Sequence, residues 1–123
     1  VRILVVEDDR KVAGFLEQGL REERFEVDVA HAGDVGLERA TSGDYALIVL
    51  DYMLPVHSGP EIAAAVRERG IQTPILMLTA RDDSRDVETA LQAGVTAYLT
   101  KPFRFDDLLR QIGALLPNNT HTA

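Results

Sequence analysis

Ala46-Leu47-Ile48-Val49-Leu50, followed at once by Asp51, is the stretch that decides the fold. Five apolar residues without alternation read as a strand buried on both faces, and strands of that kind belong to parallel sheets. Two more runs have the same character. Ile3-Leu4-Val5-Val6 leads into Glu7-Asp8-Asp9, and Val95-Thr96-Ala97-Tyr98-Leu99-Thr100 leads into Lys101-Pro102. In an open parallel sheet, functional groups gather beyond the carboxyl ends of the strands. Two acidic sites and a lysine, far apart in sequence, are therefore expected on one edge. Carboxylates grouped this closely repel unless a cation sits among them. The pattern points to a metal-dependent carboxylate site, and the lysine to an anionic substrate.

Composition sets limits. The chain has 123 residues, enough for one compact domain and one core. Apolar residues make up 46%, so the chain is expected to fold. It has no cysteine, which excludes disulfides and cysteine-ligated zinc and favours an intracellular, cytoplasmic protein. No apolar stretch approaches the roughly 18 residues of a membrane helix, and no signal peptide is read. The chain begins at Val1 rather than Met, as a trimmed chain or a piece of a longer protein does. A net charge of −7 argues against gripping phosphate backbones, so no direct nucleic-acid binding is expected.

The remaining elements alternate. The first strand, Val1 to Val6, feeds a helix from Arg10 to Glu22, with Val12, Leu16 and Leu20 as its buried stripe. Phe25 to Ala30 alternates apolar with acidic residues and suits an edge strand. A short helix from Val35 to Thr41 ends at Ser42-Gly43-Asp44. Tyr45 to Leu50 is the third strand. Ser58, with Glu61 three residues on, caps a helix that runs to Arg69, and Gly70 closes it. Pro74 to Thr79 is the fourth strand, Asp82 to Ala93 a helix and Gly94 its cap. The fifth strand ends at Thr100. The last helix spans Phe105 to Leu116, with Leu108, Ile112, Leu115 and Leu116 on one face, and Pro117 stops it. Residues 1–116 read as one domain and 117–123 as a linker or tail. Five alternations with right-handed crossovers make a doubly wound (βα)5 sandwich around a five-stranded parallel sheet. Periodicity leaves the strand order open.

Four sequence words now stand at predicted strand ends: Ile3 to Asp9, Leu50-Asp51-Tyr52-Met53-Leu54-Pro55, Met77-Leu78-Thr79-Ala80-Arg81, and Tyr98-Leu99-Thr100-Lys101-Pro102-Phe103. Together, and in this order, they resemble the receiver domain of a bacterial two-component response regulator. The wording is most similar to the subgroup whose receivers precede a winged-helix DNA-binding domain. The resemblance implies the flavodoxin-like strand order 2-1-3-4-5.

The resemblance also assigns roles. Asp51 is implied as phosphoacceptor. Mg2+ is implied as cofactor, with Mn2+ as an alternative, held by Asp8, Asp51 and the backbone carbonyl of Met53, while Glu7 acts mainly through a bound water. Thr79, Ala80 and Lys101 are implied to surround the phosphoryl group. Tyr98 is implied as the switch aromatic and Pro102 as a cis proline behind the lysine. The implied partners are a sensor histidine kinase and a C-terminal DNA-binding output domain, and the function is a phosphorylation-activated switch controlling transcription. Beyond self-phosphorylation and self-dephosphorylation, no enzyme activity is implied.

Plainer readings stand beside these. Glu7-Asp8-Asp9 also suits an acidic cap on the following helix. Tyr98 also suits a half-buried tyrosine with its hydroxyl at the rim. His31, His57 and His121 read as surface residues, and Phe103 and Phe105 as packing for the last helix. Thr96, Ala97, Val87 or Glu88, and Gln111 stand where the subgroup carries the charges of its dimer face. The resemblance therefore leaves at most a weak homodimer. A magnesium-dependent phosphatase is the alternative from a different class, but such enzymes place their nucleophile after the first strand as Asp-x-Asp, where this chain has Glu7-Asp8-Asp9. A phosphorylation-independent interaction module is a third reading, disfavoured by the intact acidic, threonine and lysine positions.

Overall fold

In the computed structural model, which describes residues 1–80 and 84–116, strand and helix alternate five times. The elements are β1 (Arg2–Val6), α1 (Arg10–Glu22), β2 (Glu26–Ala30), α2 (Gly33–Ser42), β3 (Leu47–Asp51), α3 (Gly59–Glu68), β4 (Ile75–Thr79), α4 (Ser84–Gln92), β5 (Ala97–Thr100) and α5 (Phe105–Leu115). All strand pairs are parallel, in the order β2-β1-β3-β4-β5. This is the flavodoxin-like doubly wound order.

Alternation within each central strand sends side chains to two separate cores. Leu4, Val6, Ile48, Leu50, Ile75 and Met77 face α3, whose Ile62, Ala63 and Val66 meet them, with Ala40 and Ala90 alongside. Ile3, Val5, Leu47, Val49, Leu76 and Leu78 face Leu16 and Leu20 of α1 and Leu108 and Ile112 of α5. Burial on both faces is what removes alternation from these runs. Each fully buried aliphatic side chain contributes roughly 1.5–3 kcal/mol, an upper bound because the unfolded chain is already partly collapsed. β2 and β5 are the sheet edges and are less completely buried.

Local chemistry sets the boundaries. Ser58 caps α3 by a reciprocal box: Glu61 N donates to Ser58 Oγ (3.3 Å) and Ser58 N donates to Glu61 Oε1 (2.9 Å). Three sequence expectations are corrected. α1 buries Ala13 with Leu16 and Leu20, leaving Val12 half-buried. α2 begins at Gly33, two residues before the expected start, because Gly33 N donates to Pro55 O (2.9 Å) across the next crossover. β3 begins at Leu47 and extends through Asp51, which pairs in register with Leu78. Residues 82–83 of the expected fourth helix, the expected tail 117–123 and its His121 lie outside the described residues. Among the described residues no helix is long and apolar enough to cross a membrane.

Candidate functional site

The sheet order brings the ends of β1, β3, β4 and β5 side by side. Main-chain bonds continue the ladder past the strands: Glu7 N donates to Ala30 O (2.9 Å), Tyr52 N to Leu78 O (2.9 Å) and Lys101 N to Thr79 O (2.7 Å). Glu7, Asp51, Thr79 and Lys101 are thereby placed on one edge. One carboxylate oxygen each from Glu7, Asp8 and Asp51 lies within 4.8 Å of the others. Glu7 (1% exposed), Asp51 (5%) and Thr79 (5%) form the floor. Asp8 is exposed and stands at the open side.

Lys101 bridges the two buried acids. Its Nζ is 3.1 Å from Glu7 Oε1 and 3.1 Å from Asp51 Oδ1. The second Glu7 oxygen accepts a hydrogen bond from Asp9 N (3.1 Å). Asp9 itself turns away and caps α1, accepting from Lys11 N (2.9 Å) and Val12 N (3.2 Å). The acidic triplet therefore divides its work, Glu7 and Asp8 to the pocket and Asp9 to the helix.

The charges are not balanced. With all groups ionised, three carboxylates face one ammonium, and the excess is negative. Burial, then the nearby Asp51 charge, raises the Glu7 carboxyl from 4.5 to about 7. Burial also raises Asp51, opposed by Lys101. For Lys101, burial disfavours the charge, but Asp51 and Glu7 outweigh it and its pKa is raised. Lys101 remains an ammonium, and a single ammonium cannot offset three ionised carboxylates, of which Asp8 is the solvent-exposed one. An oxygen-only donor set with surplus charge fits a hard divalent cation such as magnesium.

The other expected residues are placed as follows. Ala80 is exposed at the mouth beside Thr79. Met53 exposes its side chain next to Asp51. The Lys101–Pro102 peptide bond is cis. Tyr98 is 39% exposed, on a shallow groove of about 560 Å³ between α4, β5 and α5. Phe105 stacks edge-on against Phe15 of α1, with ring centroids 5.6 Å apart. Sequence reasoning misses two residues near the site. His31, expected on the surface, is half-buried with Nδ1 3.1 Å from the Glu7 carbonyl oxygen. It follows β2 directly, so the strand-end rule applied to Glu7 would find it. Tyr52 enters the sequence reading only as a letter of a motif, yet its hydroxyl reaches Asp86 of α4 (3.4 Å).

Comparison with known proteins agrees with this geometry. A family model described as response regulator receiver domain matches residues 3–113. The transcriptional regulatory protein PcoR of Escherichia coli is 45% identical over 115 residues, 94% of this chain and 51% of that protein. The chain spans about half the length of the curated relatives it matches. Among solved structures, the response regulator TrrA of Thermotoga maritima, in complex with Mg(2+)-BeF, superposes with a TM-score of 0.84 at 36% identity, covering 94% of this chain and 98% of that one. The receiver domain of the sensor histidine kinase PA1611 of Pseudomonas aeruginosa, with a magnesium ion in its active-site cleft, gives 0.85 at 33% identity, covering 94% and 96%. The acidic cluster at the ends of β1 and β3 is of the kind that forms a receiver phosphorylation site, and the chain belongs to the response regulator receiver domain family.

Proposed function

We propose that Asp51 accepts a phosphoryl group from a sensor histidine kinase or a small acyl phosphate, and that the domain works as a phosphorylation-activated switch. The observation that carries this reading is the Lys101 bridge between two buried acids at the ends of neighbouring strands. It leaves a carboxylate and a cation side by side, with the exposed Asp8 next to them, within reach of one phosphoryl group. Asp8, Asp51 and the Met53 carbonyl hold Mg2+, or Mn2+ in its place, and Glu7 supports them. When bound, the metal neutralises charge on the phosphoryl oxygens. An Asp51 oxygen forms the new bond to phosphorus as the bond to the donor's leaving group breaks. Lys101 then exchanges part of its bridge for a phosphoryl oxygen, as a point charge. The Thr79 hydroxyl donates to another, and Ala80 leaves room beside it. Tyr98 turns inward as Thr79 moves.

The output is a change in the surface of α4, β5 and α5. In the whole protein, residues 1–116 form the receiver, and residues 117–123 lead as a linker to a C-terminal DNA-binding domain that controls transcription in the cytoplasm. Thr96, Ala97 and Gln111 leave that surface with few complementary charges, so any homodimer of this domain is weak and insensitive to salt.

Acetyl phosphate with magnesium should add one phosphoryl group to the wild type and none to Asp51→Asn, read by intact-mass spectrometry. Equal labelling of both proteins would exclude Asp51. Turnover of an added phosphomonoester would favour an enzyme instead.

A further inference from the structure

We infer that Tyr52 is a positioning residue that ties the end of β3 to the first turn of α4, so that α4 senses the state of Asp51 through Tyr52 as well as through Thr79 and Tyr98. The inference rests on Asp51 being the phosphoacceptor. Tyr52 is the next residue along the chain, and its main chain is fixed on both sides: its N–H donates to Leu78 O (2.9 Å) and its carbonyl accepts from Gly59 N (2.9 Å). A shift at Asp51 is therefore passed to the Tyr52 side chain and not absorbed by a loose loop. That side chain is half-buried against the core cluster that includes Ala90 and Val95. Its hydroxyl ends 3.4 Å from Asp86 Oδ1, in the first turn of α4.

What α4 rests on makes this contact matter. α3 seats itself with Ile62, Ala63 and Val66, all fully buried. Among the described residues of α4, the buried apolar side chain is the small Ala90, while Leu91 is 48% exposed. A lightly seated helix has alternative positions within reach, and a single hydrogen bond to it biases which one is occupied. At 3.4 Å the bond is long and therefore weak, as suits a tether that is exchanged and not a permanent strut. It belongs to the arrangement in which Lys101 bridges Glu7 and Asp51, so it favours that arrangement. Removing it should make activation easier.

The test uses the beryllofluoride–magnesium complex as the phosphoryl mimic, with affinity measured by calorimetry and α4 mobility by amide hydrogen exchange. Tyr52→Phe removes the hydroxyl and keeps the ring. It should bind the mimic roughly three- to tenfold more tightly than wild type, with faster exchange in α4 before the mimic is added. Affinity for magnesium alone should stay within about twofold, because the hydroxyl acts on α4 and not on the metal ligands. Asp86→Ala should shift the affinity in the same direction, and the double variant should fall short of the sum of the two single effects, since the contact they share is lost only once. Unchanged mimic affinity in Tyr52→Phe, or additive effects in the double variant, overturns the inference and leaves Asp51 untouched. Failure of the wild type to bind the mimic with magnesium overturns the phosphoacceptor reading, and this inference with it.

Discussion

At the edge where β4 and β5 begin, one cation meets dipoles; at the edge where the strands end, one cation meets charges. At the first edge Arg67 donates from Nε to Gly94 O (3.0 Å) and from Nη1 to Ile71 O (2.9 Å) and Thr73 O (2.8 Å). Its Nη2 approaches Thr96 Oγ1 (3.4 Å), which in turn accepts from Ile75 N (3.0 Å). The guanidinium fork suits several carbonyls at fixed angles. At the other edge Lys101 sits between Glu7 and Asp51 with Asp8 alongside, and more negative charge is present than it can neutralise. The first edge is satisfied as it stands. The second holds surplus negative charge of the kind a hard cation offsets. One sheet thus keeps a stabilising end and a reactive end, and the stable end offsets the cost of the other.

Removing the stable end should have the largest effect. Arg67→Ala leaves the carbonyls of Ile71, Thr73 and Gly94 without their donor at the junction of α3, β4 and β5. A loss of about 2 kcal/mol is expected, seen as a lower urea midpoint with an unchanged slope. Arg67→Lys should recover little, because an ammonium cannot span carbonyls on two connections. Magnesium affinity should be unaffected in both. A loss under about 0.5 kcal/mol would show that water replaces the guanidinium at little cost.

The reactive end should respond to pH and metal together. Without a metal, Glu7 is held at about 7, by burial and then by Asp51, against its ordinary 4.5. The folded protein therefore keeps a proton that the unfolded chain releases. Its contribution to stability is complete below about pH 4.5 and is lost as pH rises through about 7. Asp51, also raised by burial, acts in the same direction. Magnesium favours the ionised carboxylates, so its stabilising increment should grow across the same window. At ten times its dissociation constant the increment is about 1.4 kcal/mol. Thermal melts with EDTA or with magnesium, from about pH 5 to about pH 8, measure both trends. Asp51→Asn should remove most of the magnesium increment and weaken the metal-free trend without abolishing it, because burial still raises Glu7. A magnesium increment equal at both ends of the range would separate metal binding from these carboxylates.

The two ends also differ in how far the sequence reveals them. Glu7, Asp51 and Lys101 are legible because a parallel strand delivers whatever follows it to a known edge. That Lys101 bridges Glu7 and Asp51 is not legible, since periodicity carries no side-chain torsions. At the opposite edge almost nothing is legible. Arg67 looks like any charged residue late in a helix, and its partners lie 4 to 29 residues away in sequence. Thr96 reads as a charge lost from the partner surface, whereas its hydroxyl is used by Ile75 N. The expected start of α2 falls late for the same reason: the bond from Gly33 to Pro55 joins two crossovers, and no local pattern encodes it.

The smallest expected effect sharpens the comparison where the helices stop. α1, α3 and α4 end in the same arrangement: a backbone of positive φ, flanked by paired bonds back to the last turn. Phe25 N donates to Leu20 O and Arg24 N to Arg21 O; Ile71 N donates to Val66 O and Gly70 N to Arg67 O; Val95 N donates to Ala90 O and Gly94 N to Leu91 O. Gly70 (φ 76°) and Gly94 (φ 108°) adopt this conformation without strain, but α1 places Arg24 there at φ 74°. A side chain in that region costs roughly 1 kcal/mol, and glycine gives part of it back in unfolded-state entropy. Arg24→Gly should therefore raise stability by about 0.5 kcal/mol. Gly70→Ala should lower it by about 1 kcal/mol through backbone strain alone, because a methyl group there meets nothing within 4 Å. Gly94→Ala should cost more than Gly70→Ala, because its methyl group would lie 2.5 Å from Arg67 Cγ and displace the guanidinium from its carbonyls. Urea midpoints of the three variants give the order. Equal losses at Gly70 and Gly94 would mean that Arg67 yields freely, and the edge it holds would then be less rigid than its hydrogen bonds suggest.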